Sequence, residues 1–143
     1  MRDFMKHWLA AAVTAAAVMA AATAASVGAR ADTGATGVWI DHTGRGAVEI
    51  TDCGGALCGR VIWVKDAANN EGCGLQIIGN VKPMGDGTWD GGWIYDPDTD
   101  AKYDVEIVPD GSKLKVVGYS GTKLLSETMV WTRAPADLQR CKA

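Results

Sequence analysis

Residues 101–119 read AKYDVEIVPDGSKLKVVGY, and their pattern decides the fold. Tyr103, Val105 and Ile107 alternate with Asp104 and Glu106 across Ala101 to Val108. A period of two puts the apolar set on one face of a strand and the acids on the other. Pro109-Asp110-Gly111-Ser112 follows, with Pro and Gly where a tight turn wants them. Lys113 to Tyr119 is the returning strand.

The same pattern extends in both directions. Upstream, Gly37 to Asp41 is a first strand, closed by the turn Thr43-Gly44-Arg45-Gly46. Ala47 to Asp52 alternates, with Val48 and Ile50 on one face. Leu57 to Lys65 is a third strand, more continuously apolar at Val61-Ile62-Trp63-Val64, and residues 66–74 are a polar loop. Leu75 to Ile78 reads as a short strand and Thr88 to Tyr95 as a longer one, separated by the turn Met84-Gly85-Asp86-Gly87. Asp96-Pro97-Asp98-Thr99-Asp100 is a hairpin loop. Downstream, Ser120-Gly121 leads to a last strand, Leu124 to Thr132, and Pro135 to Gln139 reads as one helical turn. Eight strands with short connections pair antiparallel in sequence. Closure removes their exposed edges, so the expectation is an all-β, single, eight-stranded antiparallel up-and-down barrel. A two-sheet sandwich is the rival.

The amino-terminal stretch does not share this pattern. Arg2 and Lys6 precede an Ala/Val/Leu/Met run from Leu9 to Ala25, and Ala29-Arg30-Ala31 ends it. A basic start, an apolar centre and an A-x-A site mark a secretory signal peptide over residues 1–31, cleaved after Ala31. Residues 32–143 are then the domain, periplasmic or secreted. A retained anchor is the alternative, but the run is marginal for spanning a bilayer. The whole chain carries a net charge of −3, and loss of Arg2, Lys6 and Arg30 against Asp3 alone makes the remainder more acidic. No Lys/Arg run survives, which argues against nucleic acid and anionic lipid as partners.

Export permits disulfides, and the chain has four Cys, all beyond residue 31. Cys53 and Cys58 bracket the turn Gly54-Gly55-Ala56-Leu57, which can bring two strand ends to bonding distance. Cys73 and Cys141 remain for a second, long-range bridge. The alternative is a zinc site using all four, but C-x4-C followed by gaps of 14 and 67 residues makes no pair of knuckles. No metal or cofactor is expected.

Two motifs resemble a known superfamily. Gly37-x-Trp39 opens the first strand and Trp131-Thr132-Arg133 ends the last. Calycin barrels, which include the lipocalins, carry a Gly-x-Trp on the first strand, with an Arg from the last strand packed over the indole. The resemblance implies that Trp39 and Arg133 are a barrel-closing cation–π pair. Further motifs are similar to those of an exported bacterial family known as domain of unknown function 2147. They are Val48-Glu49-Ile50, Cys53, Leu57-Cys58-Gly59-Arg60-Val61-Ile62-Trp63, Trp89-Asp90-Gly91-Gly92-Trp93-Ile94-Tyr95-Asp96-Pro97, Lys102-Tyr103, Leu114 to Tyr119 and Trp131-Thr132-Arg133. The match runs from about Gly37 to Arg133 and implies a lipocalin-like barrel without an assigned activity. Asp100 stands where members tend to have a turn Gly, and Cys73 and Cys141 lie outside the motif core.

Catalytic machinery is not legible. His42 is the one His beyond residue 31, and Ser112, Ser120 and Ser126 occupy turns or strand edges without a Gly-x-Ser-x-Gly elbow. Asp96-x-Asp98-x-Asp100 resembles the opening of a calcium loop, but Ala101 and Ile107 stand where the Gly and the bidentate acid belong. Asp90, Asp96 and Asp104 are the carboxylates a hydrolase would need to bring together. Trp63, Trp89, Trp93, Tyr95 and Tyr103 are the candidate ligand-binding set, and Trp89, Trp93 and Tyr95 share one face by parity. The plainer reading of the tryptophans is that they fill a small barrel, and short loops argue for a shallow cavity. The leading function is binding of a small apolar or amphipathic molecule. The alternative is a structural or interaction protein of the envelope, with a filled interior and a protein partner. A hydrolase ranks below both.

Overall fold

The structure, a computed structural model, describes residues 34–141. The segment read as a signal peptide lies outside the described residues. Eight strands form one closed barrel in sequence order: β1 (Gly37–Ile40), β2 (Gly46–Asp52), β3 (Leu57–Val64), β4 (Gln76–Pro83), β5 (Trp89–Asp96), β6 (Ala101–Asp110), β7 (Lys113–Ser120) and β8 (Thr122–Arg133). Every neighbouring pair is antiparallel, and β1 closes on β8 through Trp39↔Arg133 and Ile40↔Thr132. The sandwich is thereby excluded.

Three expectations need correction. β4 is not a short strand ending at Ile78 but runs to Pro83. Its register with β3 slips, and Asn80 has φ 56°, so the alternation that marks a strand is broken there. β8 begins at Thr122 and spans 12 residues, which makes the wall taller than its apolar core alone suggests. The tail is not helical: Pro135 to Leu138 closes one turn, Leu138 N–H donating to the Pro135 carbonyl.

The closed end is built around Trp39, which is fully buried. Its indole N–H donates to the Ala35 carbonyl at 2.9 Å. The Arg133 guanidinium lies 3.8 Å from the ring centroid and donates from Nη1 to the Thr36 carbonyl at 2.8 Å. Gly37 makes this stacking possible. A Cβ there would sit 2.4 Å from Arg133 Nη1, and its φ of 121° suits Gly. Leu57, Val81, Trp89, Ile107 and Leu114 pack the lower barrel beside Trp39 and Trp131. Full burial of each such side chain is worth about 1.5–3 kcal/mol.

Two disulfides are formed. Cys53–Cys58 bridges the β2–β3 hairpin and Cys73–Cys141 ties the β3–β4 loop to the tail. The tail is anchored further by Cys141 N–H to the Ile62 carbonyl, and by a two-pronged bond from Arg140 to Glu49 at 2.9 and 2.8 Å.

Replacing Arg133 by Ala removes a charge-assisted bond and a cation–π contact together. We expect a loss of about 2 kcal/mol in urea unfolding with an unchanged m-value. A loss under about 0.5 kcal/mol would show that closure does not rely on this contact.

Candidate functional site

Connections alternate between the two ends of an up-and-down barrel. The β1–β2, β3–β4, β5–β6 and β7–β8 loops therefore share the end opposite Trp39. Between them opens a cavity of about 1250 Å³. The expectation of a shallow, filled interior does not hold: side chains fill the lower half, while tall β6 and β8 walls enclose space above it. Val48, Val61, Ile77, Ile94 and Met129 supply its wall, and Trp131 its floor. The wall next to the floor is apolar, and Glu127 joins the lining above it. One polar atom is left over. Trp131 is 2% exposed, and its Nε1 has no acceptor among the described residues.

The candidate aromatic set divides. Tyr95 and Tyr103 line the cavity. Trp89 is buried in the core below it. Trp63 pairs with Ala47 and is half-buried, outside the cavity lining. Trp93 lies against the backbone of Gly79, where a Cβ would come within 2.5 Å of the ring, and Lys102 Nζ sits 4.4 Å from its centroid. The parity that placed Trp89 with Trp93 fails at a bulge. Trp89 pairs with Ile107 but Gly92 pairs with Val105, so one extra residue intervenes on β5. Gly91, at φ 78°, permits it, and the faces exchange. Sequence reasoning missed Trp131, Met129 and Glu127 as lining residues, although β8 alternation at Glu127, Met129 and Trp131 carried the signal.

The rim is polar. Asp41, His42, Arg45, Lys65, Asp66, Asp96 and Asp98 surround the mouth. Leu124 and Leu125 stand beside them, 92% and 76% exposed. Asp98 pairs with Arg45 at 3.4 Å, Asp96 accepts from Asp98 N–H, and Asp100 accepts from the Tyr95 hydroxyl at 2.8 Å. Asp100 has φ 53°, a left-handed conformation that suits the Gly expected at this turn. The Asp96-x-Asp98-x-Asp100 carboxylates thus serve three different partners. No group of three or more metal-ligating side chains converges among the described residues.

The three carboxylates considered for hydrolysis are also engaged separately. Asp104 accepts from Gly121 N–H at 2.9 Å. Asp90 accepts from the Tyr119 hydroxyl at 2.5 Å and pairs with Lys123 at 2.6 Å, and Lys123 reaches Glu106 at 2.9 Å. Burial pushes the Asp90 carboxyl up, but the bonds from Lys123 and Tyr119 outweigh it and hold it below the usual carboxylate range. The bond to Asp90, then burial, pushes the Tyr119 phenol up to about 12. This network ties β5 through β8 together, which is a structural role.

Known proteins place the chain in a family. Residues 37–133 match the family described as "uncharacterized protein conserved in bacteria" (DUF2147), and the chain belongs to it. Among solved structures, one from Helicobacter pylori is similar: protein HP1028, described as belonging to the lipocalin family. It is 14% identical, with a TM-score of 0.56, and the match covers 71% of this chain and 84% of that one. At that identity the likeness is one of fold. No curated protein matches the chain.

Tyr119 allows a test of the network. Its folded pKa is raised above the free value of 10, so its contribution is complete below pH 10 and lost as pH rises towards about 12. The stability difference between the native chain and Tyr119→Phe should therefore shrink across that window. A difference constant from pH 8 to 12 in urea titrations would exclude the Asp90–Tyr119 bond as its source.

Proposed function

We propose that this DUF2147-family chain, a lipocalin-like barrel, is exported and binds a small amphipathic molecule in its open cavity. The observation that carries this reading is the cavity itself. About 1250 Å³ has an apolar lower wall and floor, a carboxylate at Glu127 above them and a polar mouth. Binding sites are typically concave, mostly apolar and furnished with a few polar groups. The apolar part of the ligand contacts Val48, Val61, Ile77 and Met129, while Tyr95 and Tyr103 offer amphipathic rings at the rim.

Export is supported by residues 1–31, which read as a signal peptide, and by two disulfides, which persist in oxidising compartments. No helix among the described residues is long and apolar enough to cross a membrane. A non-catalytic role agrees with the engagement of Asp90, Asp96, Asp98 and Asp104 in turns and ion pairs. A second reading, contact with an envelope protein, is favoured by Leu124 and Leu125 at the mouth.

Gly118 gives a direct test. It lines the cavity, and a Cβ there would make only ordinary contacts at 4.0 Å with Met129 and Tyr103. Gly118→Leu should fill the lumen and leave the fold intact. The oxidised chain should bind the neutral probe N-phenyl-1-naphthylamine with enhanced probe fluorescence. In Gly118→Leu, affinity should fall at least about tenfold, equivalent to about 1.4 kcal/mol. Equal affinity in both proteins would place the binding elsewhere.

A further inference from the structure

We infer that the cavity selects amphiphiles with a cationic head group, and that Glu127 is the side chain that reads the charge. The inference rests on the binding function proposed above. Along β8, Trp131 pairs with Leu114, Met129 with Val116 and Glu127 with Gly118. Leu114 and Val116 are fully buried, so this series faces the lumen. Glu127 accordingly lines the cavity, two residues and about 7 Å above Met129.

Glu127 differs from the other carboxylates that face a cation. Glu49, Asp90, Asp98 and Glu106 each pair with Arg or Lys. Among the described residues, the exposed Glu127 side chain has no ion pair and no hydrogen bond. The rest of the lining compounds the imbalance. Asp41, Asp66, Asp96 and Asp98 stand against Lys65 and Arg45, and Arg45 is taken by Asp98. Among the described residues, no buried Lys or Arg waits in the interior for a carboxylate or sulfate. An anionic head group would therefore enter a field of its own sign, while a cation would meet a free carboxylate beside an apolar wall.

Trp131, nearly fully buried on the same inward series, closes the lumen below Met129, so the charged end of an occupant lies towards the mouth. The ligand that fits has an apolar body and a positive charge at the mouth.

Three probes with a common dodecyl chain separate the charge from the tail: dodecyltrimethylammonium, dodecyl maltoside and laurate. Each is titrated below its micelle concentration against bound N-phenyl-1-naphthylamine on the oxidised chain. We expect the ammonium probe to compete about fivefold better than the maltoside, with laurate weakest. Raising NaCl to about 0.5 M should narrow the gap, because the Debye length then falls below about 8 Å. Glu127→Gln should bring the ammonium and maltoside probes within about twofold, and Glu127→Lys should favour laurate. Equal competition by all three, or a preference that survives in Glu127→Gln, overturns the charge selectivity alone. Failure of every probe to compete overturns the binding function as well.

Discussion

The guanidinium of Arg133, 3.8 Å from the Trp39 ring centroid, is the contact on which the barrel depends. β1 has only four residues and meets β8 at two register positions, so its backbone ladder is a weak seam. Arg133 strengthens it from the side. One arginine covers the indole, holds the Thr36 carbonyl and reaches towards Gly34. Ala134 N–H adds a bond to the Val38 carbonyl. The chain before β1 is thereby laid across the bottom of the barrel, where Ala35 is fully buried and Gly34 passes close to Pro109.

Sealing one end determines what the other can be. The large side chains Trp39, Trp131, Leu57, Ile107 and Leu114 are concentrated in the lower core. Above them the walls continue, because β6 and β8 have ten and 12 residues. Tall walls over a filled base leave an open, apolar-sided volume. The disulfides follow the same division. Cys53–Cys58 stabilises a hairpin at the sealed end, and Cys73–Cys141 restrains a loop of the mouth by fastening it to the tail. A link across 68 residues removes more chain entropy than one across five, in the chain-entropy description.

Charges are handled differently inside and outside. Asp90, Lys123, Glu106 and Tyr119 satisfy one another and bind β5, β6, β7 and β8 into a unit. Glu49 and Arg140 do the same for the tail. The lumen keeps the exposed Glu127 side chain without such a partner among the described residues. Unpaired polar groups are costly in a core, and they are tolerated where solvent or a ligand can reach them.

Alternation at Tyr103, Val105 and Ile107, the turn at Gly111, and the pairing of Gly37-x-Trp39 with Trp131-x-Arg133 were enough to read an eight-stranded closed barrel, because these are local periodicities and a motif at each end of the chain. Cys53–Cys58 was legible for the same reason: its partners flank one turn. The site was less so. Tyr95 and Tyr103 were readable as aromatic residues near a hairpin, whereas Trp63 and Trp93 lie outside the lumen and Trp89 lies beneath it. A single residue inserted at Gly91 inverts every face beyond it, and no period-two count can sense that insertion. The volume above Trp131 depends on strand lengths and on which end the bulky side chains fill. Those are relations between distant segments, and the folded barrel alone decides them.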